Sequence, residues 1–535
     1  IIVIHSFQFF CLLLLLLCVC AMDGHRCCVG GTSCWRVVLH LDLDAFYCQV
    51  EHRRLNIERE KPLAVRQWEG LIAVNYPARA KGVGRFCNIE QAREKCPDLV
   101  LVHVETIGNT TDGGIGEVKP NRTTTKVSLQ RYRKASFEVI QVIQKFSSSS
   151  CIERASIDEV YIDITASVEE KLREVRAESS LNWNTKDSHV AEGAILNPSL
   201  ESDLRLILGS QICKEIRDAV KSETEFDMSA GIAHNKQMAK LASSLNKPAK
   251  QTIVPSASVP SMMQSLPYTA INGLGGKLGE KLKTVFPEAE TAQDLQMHEK
   301  PVLQAALGES TGFWLYNLCR GLVDEAVEPN LLPKSLNACK SGAFNSMKPV
   351  KHWLKIMCQE LIDRIQEDNQ NFGRMPRVLA LHARSSRTNK ERSSQSPLPG
   401  NGSMPSLAIL FDASLKLFEK LERECLPCSR VAIGARSFVS DRKDMQKLSD
   451  LFASSRPKED NDGSSKRKRK PPDPIQQAKP KVKETTKQDA GSVDIDGIDV
   501  REQKYILSLL EASKKPKPKM KKSGQTNLAQ LWGAK

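Results

Sequence analysis

Apolar residues recur along this chain at two spacings, and the switches between them mark out its elements. Val37-Val-Leu-His-Leu-Asp-Leu43 alternates and predicts a buried strand. Tyr47 to Arg54 then reads as a helix, Leu71 to Val74 as a short strand, Gln91 to Lys95 as helical and Leu99 to Val104 as a further strand. Residues 107–127, with several Gly, many Thr and one Pro, predict an inserted surface loop. Helical spacing returns over Leu129 to Phe146, and a strand pattern over Ile157 to Ile164. The polar stretch 179–202 predicts another loop, followed by helices at Leu204 to Val220 and Lys236 to Leu245. Short helices fill 255–325. From 330 to 440, helices (Val350 to Gln366, Ser406 to Glu424) mix with strands (Arg377 to Ala383, Arg430 to Phe438), as in an α+β module. Beyond 440 the chain is rich in Lys, Asp, Ser and Pro and predicts disorder.

A chain of 535 residues exceeds what one core supports. Its net charge is +14, unevenly spread. Residues 441–535 hold 23 Lys+Arg against 14 Asp+Glu, a net of +9, which leaves +5 for the first 440. The folded part is thus only mildly basic, and any nucleic-acid-binding charge there must be local. Sixteen cysteines follow no disulfide spacing and read as reduced thiols. Cys425-Leu-Pro-Cys428 lacks a second half for a zinc site, and residues 441–535 contain neither Cys nor His, which excludes a zinc finger there. Ile1 to Ala21 has the apolar run of a signal peptide but no basic flank, and the first Met is Met22. We read residues 1–35 as an extension of doubtful status, with translation expected to start at Met22.

The chemistry lies in two acidic clusters set in apolar runs: Asp42 and Asp44 in Leu39-His-Leu-Asp-Leu-Asp-Ala-Phe-Tyr47, and Asp158-Glu159 in Ala155-Ser-Ile-Asp-Glu-Val-Tyr161. Burying bare carboxylates costs several kcal/mol unless a cation neutralises them. Magnesium takes a few carboxylate oxygens together with substrate phosphates. A pair of such ions can stabilise the attacking and leaving oxygens of a phosphoryl transfer. The clusters therefore point to a metal-dependent nucleotidyl transferase. A second feature, Ile271-Asn-Gly-Leu-Gly-Gly-Lys-Leu-Gly279, is a tight turn entering a helix. Its backbone N–H groups could hold a phosphate, although an ordinary capping turn has the same composition.

Six stretches in order carry a resemblance: Leu41 to Glu51, Ile72 to Arg85, Glu153 to Tyr161, Ser229 to Lys236, Asn246-Lys-Pro248 and Leu274 to Gly279. Over residues 36 to 440 the chain resembles the Y-family translesion DNA polymerases, most closely their eta branch in a plant-like version. The resemblance implies an α+β right-hand polymerase. It has a palm (36–47 and 100–254), fingers (48–99), a thumb with a helix-hairpin-helix-like turn (255–325), a little finger (330–440) and a disordered regulatory tail (441–535).

It also implies roles. Asp42, Asp158 and Glu159, with the Leu43 backbone carbonyl, would bind two Mg²⁺ ions, for which Mn²⁺ can substitute. Asp44 would be structural. Tyr47 would be the steric gate against ribonucleotides, with Phe46 beside it against the sugar. Tyr76, Arg79 and Lys247 would hold the triphosphate, and Arg85 would lie over the incoming base. Gln67 would touch the template, and Gly273, Gly275, Gly276 and Lys277 the DNA backbone. The implied activity is insertion of deoxynucleotides opposite damaged bases, UV cyclobutane dimers among them, by a nuclear, monomeric enzyme with no membrane partner. Another Y-family polymerase of different lesion range, or a non-catalytic repair scaffold, is the alternative.

Three departures bear on the fingers. The loop Arg66-Gln-Trp-Glu-Gly70 is shorter than the family's Gly-rich segment, Pro77 replaces the usual acid, and Phe86-Cys87 stands where the family usually has Ser-Met. In the tail, Lys466-Arg467-Lys468-Arg469-Lys470 is a basic run of nuclear-localisation type, and equally a solvated charge run. Gln525, Leu528, Leu531 and Trp532 have the spacing of a sliding-clamp (PCNA) box. The acidic-then-apolar segment 493–510 could bind ubiquitin on the clamp.

Overall fold

Strand β1 (Val38–Leu43) is buried along its whole length because both of its faces are covered. The computed structural model describes residues 36–108, 120–146, 152–178, 187–191, 194–323, 325–400 and 402–440. The basic run, the clamp box, the segment 493–510 and the N-terminal apolar run all lie outside these residues. In chain order β1 is followed by α1 (Phe46–Leu55), β2 (Leu63–Gln67), β3 (Gly70–Val74), α2 (Tyr76–Ala80), α3 (Ile89–Lys95) and β4 (Val100–His103). Next come β5 (Thr106–Ile107), β6 (Lys126–Val127), α4 (Gln130–Gln144), β7 (Ile152–Arg154), β8 (Glu159–Asp163) and α5 (Thr165–Glu178). Then follow β9 (Ser188–Val190), α6 (Glu201–Thr224), β10 (Met228–Ala233), α7 (Lys236–Leu245) and β11 (Gln251–Ile253).

Six of these strands form one sheet in the order β7-β8-β1-β10-β11-β9. β1 runs antiparallel to both β8 and β10. Its alternation sorts the two faces. Leu39, Leu41 and Leu43 point into the large core with Leu206, Ile212 and Ile232. His40 points the other way, to the Ser243 hydroxyl of α7 at 2.7 Å.

α7 lies directly on β10 because position 231 has no side chain. A Cβ on Gly231 would stand 1.9 Å from the Ala239 carbonyl oxygen and 2.6 Å from the Ser243 nitrogen. Backbone cannot yield as a side-chain tip does. Gly231→Ala therefore destabilises the protein by about 1–3 kcal/mol, the usual range for overpacking, read as a lower denaturation midpoint at unchanged slope.

Strands β3-β2-β4 make a second sheet with its own small core of Ala64, Leu71, Val74, Ala78, Val83, Ala92, Cys96 and Leu99. After β11 the chain forms α8 (Val259–Ser265), α9 (Lys277–Val285), α10 (Ala292–Gln296), α11 (Lys300–Leu307) and α12 (Glu309–Leu318). The last module comprises β12 (Ser335–Phe344), α13 (Met347–Phe372), β13 (Arg374–Ser385), β14 (Glu391–Pro397), α14 (Leu407–Glu419), α15 (Glu422–Cys425) and β15 (Cys428–Ser440). Its sheet runs β12-β15-β13-β14, and α13 and α14 cover a core that includes Trp353, Leu361, Leu381 and Phe418. The fold is a mixture of α and β throughout.

This module is tied to the first. Lys126 pairs with Glu360 at 2.7 Å, and Phe137 meets Phe372 edge-on. Lys340 donates to the carbonyls of Arg122 and Thr125 and stands over the Trp353 ring at 3.9 Å. Burial lowers the Lys340 ammonium to about 8.

The sequence reading needs correction in places. The stretch 179–202, expected to be a loop, contains β9, which pairs in parallel with β11 and is pinned by Gln251 Nε2 donating to Ser188 Oγ at 2.7 Å. Ser406 to Glu424 is two helices, not one. β2, β5, β6, β7, β10, β11, β12 and β14 are not predicted by their local patterns, and β5 and β6 pair across the ends of the 107–127 stretch expected to be loop. Among the described residues every cysteine is a free thiol, and no helix is long and apolar enough to cross a membrane.

Candidate active site

Register brings the acids together. Asp42 on β1 stands directly opposite Glu159 on β8. The Leu43 N–H donates to the Asp158 carbonyl at 2.9 Å, which fixes the turn before β8 against the end of β1. Three acids, two of them more than a hundred residues from the first, thus share one corner of the sheet. Burial raises the Asp158 carboxyl above the usual range, and the charges of Asp42 and Glu159 add to the rise, although the Ser156 hydrogen bond opposes it. The acids are close enough to repel.

Each acid has a local partner. Ser156 Oγ donates to Asp158 Oδ1 at 2.6 Å and accepts from the Asp158 and Glu159 N–H groups. Lys240 of α7 meets Glu159 at 2.7 Å. Lys247 meets Asp42 at 2.5 Å and lies 3.9 Å from Asp44. Among the described residues no three acidic, His or Cys side chains converge into a preformed ion cage. Lys240 and Lys247 supply the counter-charges at Glu159 and Asp42.

Asp44 is a structural group. It is 3% exposed and accepts from the Ser229 hydroxyl (2.7 Å), the Ala249 N–H (2.8 Å) and the Tyr76 hydroxyl (2.9 Å). Burial still raises its carboxyl, with Lys247 and these hydrogen bonds opposing. Tyr76 opens α2, whose Asn75 cap accepts from the Ala78 N–H. Arg79 lies over the Tyr76 ring at 4.8 Å and donates through Nε to the Val74 carbonyl, with no ion pair to a described residue. Tyr47 is half-buried and stacks on Tyr132 at 4.0 Å and 16°. Phe46, expected against the sugar, is 2% exposed and packs edge-on against Phe226. It starts α1 on the face that closes the core. Gln67 ends β2 at a turn in which Trp68 adopts φ +59°. Arg85 is exposed on the surface of the same small domain.

Glu159 and Lys240 also line a cleft of about 1260 Å³. Its lining also includes Asn272, Gly273, Gly275 and Gly276. Gly273 holds φ +91°, which a side chain would resist, and Lys277 starts α9. Glu159, at the edge of the acidic corner, and the glycine turn therefore share one groove, with Lys236 and Lys240 along it.

Known families match most of the chain between residues 41 and 449. Residues 41–244 match the impB/mucB/samB family, 266–322 match the helix-hairpin-helix motif of DNA polymerase eta and Rev1, and 333–449 match the C-terminal domain of the impB/mucB/samB family. DNA polymerase eta of Arabidopsis thaliana is 38% identical over 68% of this chain and 55% of the relative. DNA polymerase eta of Drosophila melanogaster is 35% identical over 62% and 40% respectively. Human DNA polymerase iota is 30% identical over 73% and 50%. The chain belongs to the Y-family of DNA polymerases. It spans about half the length of the curated relatives it matches.

Membership of the Y-family implies dependence on a divalent cation. The residues fit one. Asp42, Asp158 and Glu159 are hard oxygen donors whose mutual repulsion a cation would relieve, and the lysines now beside them are displaceable counter-charges. Sequence reasoning missed Ser156, Lys240, Ser229 and Tyr132. Two had a legible signal. Ser156 stands two residues before an Asp, the spacing of a side-chain-to-backbone turn. Lys240 lies one helical turn beyond Lys236, on the same face.

Proposed function

We propose that this Y-family chain is a DNA-directed DNA polymerase for translesion synthesis, acting opposite damaged template bases such as cyclobutane dimers. The observation that carries the reading is the pairing of Asp42 with Glu159, which itself lines a groove shared with the glycine turn. In this reading the six-stranded sheet and its helices are the palm, the β3-β2-β4 sheet the fingers, α8 to α12 the thumb and the last module the little finger. Bound at the three acids and the Leu43 carbonyl, two Mg²⁺ ions would lower the pKa of a primer 3′-hydroxyl and neutralise the departing pyrophosphate.

The chain's own groups do the rest. Lys247 exchanges Asp42 for triphosphate oxygens. Arg79, which has no ion pair to a described residue, grips the same phosphates, and Tyr76, anchored on Asp44, orients it. Tyr47 packs under the sugar, and Arg85 reaches the incoming base. Gly273, Gly275, Gly276 and Lys277 hold the DNA backbone through N–H groups and charge. The tail would add a nuclear address and a sliding-clamp contact, to which tethering lends effective concentration.

Primer extension tests the reading. With Mg²⁺ and deoxynucleotides the full chain extends an intact template and passes a cyclobutane dimer. A stop at the dimer would favour a relative of other lesion range, and an inert chain a scaffold. Lys247→Ala raises KM for the deoxynucleotide by about 10- to 100-fold, the scale of a lost charge-assisted phosphate contact, with a smaller effect on kcat. Steady-state kinetics separates the two.

A further inference from the structure

Phe86 is 93% exposed, the side chain of a large apolar residue held in water beside exposed Arg85. The two form the tip of a tight turn, Gly84 to Cys87. The turn is firmly built. The Cys87 N–H donates to the Gly84 carbonyl at 3.1 Å, and the Gly84 N–H to the Cys87 Sγ at 3.4 Å. Lys95 reaches both the Gly82 carbonyl (3.0 Å) and the Cys87 Sγ (3.6 Å). Val83 is buried before it, and a reciprocal Asn88–Gln91 cap starts α3 after it. Both flanks are anchored in the small core, so Phe86 is displayed from a fixed base.

The turn belongs to the domain that carries Tyr76 and Arg79, and the Gly82 N–H donates to the Arg79 carbonyl at 2.9 Å. Phe86 follows Arg79 by seven positions, a reach of at most ~25 Å. An aromatic ring beside a guanidinium on a rigid tip is the chemistry that stacks on unpaired bases. Arg85 forms no ion pair with a described residue, so its charge remains available to nucleic acid.

We propose that Phe86 is a stacking platform for the unpaired template base immediately 5′ of the one being copied; this rests on the polymerase reading above. The incoming nucleotide brings a triphosphate and a paired base, which suit Arg79 and Arg85. The next template base brings only an open π-face and has no partner. A phenyl ring, with no hydrogen-bonding group, reads a face and not an edge. It therefore supports any base and fails at an abasic position.

The test compares two primer–templates, one ending at the copied base and one longer by a single 5′ purine. In the wild-type chain the extra base raises kcat/KM by about five- to fiftyfold, the scale of one base–aromatic stack. Phe86→Trp keeps that ratio. Phe86→Ala brings it toward one, and Phe86→Leu, apolar but without a π-face, loses most of it. 2-Aminopurine at the 5′ position, in the binary complex without nucleotide, is quenched by wild type and regains fluorescence with Phe86→Ala. A ratio that survives Phe86→Ala, including an equal loss of rate on both templates, overturns the proposal, as does fluorescence that ignores the substitution. If wild type extends neither template while the quench still depends on Phe86, the polymerase reading falls and the stacking stands. Because the side chain is exposed, misfolding is not a competing explanation.

Discussion

Asp158→Asn combined with Glu159→Gln abolishes nucleotide addition, lowering single-turnover rates by at least about 10³-fold, on the scale of lost transition-state charge stabilisation, while the melting temperature does not fall by more than a few degrees. The two halves of this expectation come from the same geometry. Asp158 stands in a partly buried corner where its charge is disfavoured first by burial and then by Asp42 and Glu159. Removing a charge that the fold tolerates poorly does not weaken the fold. The amides keep the shape, and the carbonyl oxygen of the new amide at position 158 still accepts from the Ser156 hydroxyl. Lys240 loses its 2.7 Å partner, but it is part-exposed and water can replace the acid. Activity and calorimetry must be measured on the same preparation. Residual extension within about tenfold of wild type, a barrier change of only ~1.4 kcal/mol, would mean that the corner is not where chemistry occurs. A collapsed fold would mean that the acids are architectural.

The sequence revealed this corner better than it revealed the sheet. Asp42, Asp158 and Glu159 stood out because acids inside apolar runs violate the cost of burial, and the violation is visible residue by residue. The alternation of Val37 to Leu43 assigned β1, and its burial, in advance. β10, its other neighbour, was missed: Met228-Ser-Ala-Gly-Ile-Ala233 is buried at every position and offers no alternation. β9 was read as loop because its three residues are polar or half-exposed and owe their form to β11. Pairing between segments so distant in the chain leaves no local trace. Phe46 illustrates the reverse limit. Its motif neighbours suggested the sugar wall, and nothing in the sequence signalled that its ring also packs edge-on against Phe226. Lys247, read from its motif as a phosphate ligand, stands in the structure as the counter-ion of Asp42, a pairing its sequence context does not announce.

Tyr47→Ala lowers discrimination against ribonucleotides by about 100-fold, the scale on which removing a steric boundary changes selectivity, with a much smaller change in kcat/KM for the deoxynucleotide. The magnitude depends on how firmly the ring is held. Tyr47 lies flat on Tyr132 at 4.0 Å. Tyr132 is fully buried in α4, and its hydroxyl donates to Glu51 Oε1 at 2.7 Å. Glu51 is itself buried and paired with Arg54 (2.7 Å) and Arg131 (3.1 Å). A ring backed by this chain of contacts cannot yield by an ångström to admit a 2′-hydroxyl, and a small displacement at a well-packed wall is what selectivity of this size requires. Tyr47→Phe keeps the wall and retains discrimination. Tyr132→Phe keeps the stack but loses the bond to Glu51, so it relaxes discrimination only slightly. The ratio of kcat/KM for matched deoxy- and ribonucleotides, taken for the three variants, orders them as Tyr47→Phe, Tyr132→Phe, then Tyr47→Ala. If Tyr47→Ala leaves the ratio at the wild-type value, the ring does not lie under the sugar, and the nucleotide binds on another face of the acidic corner.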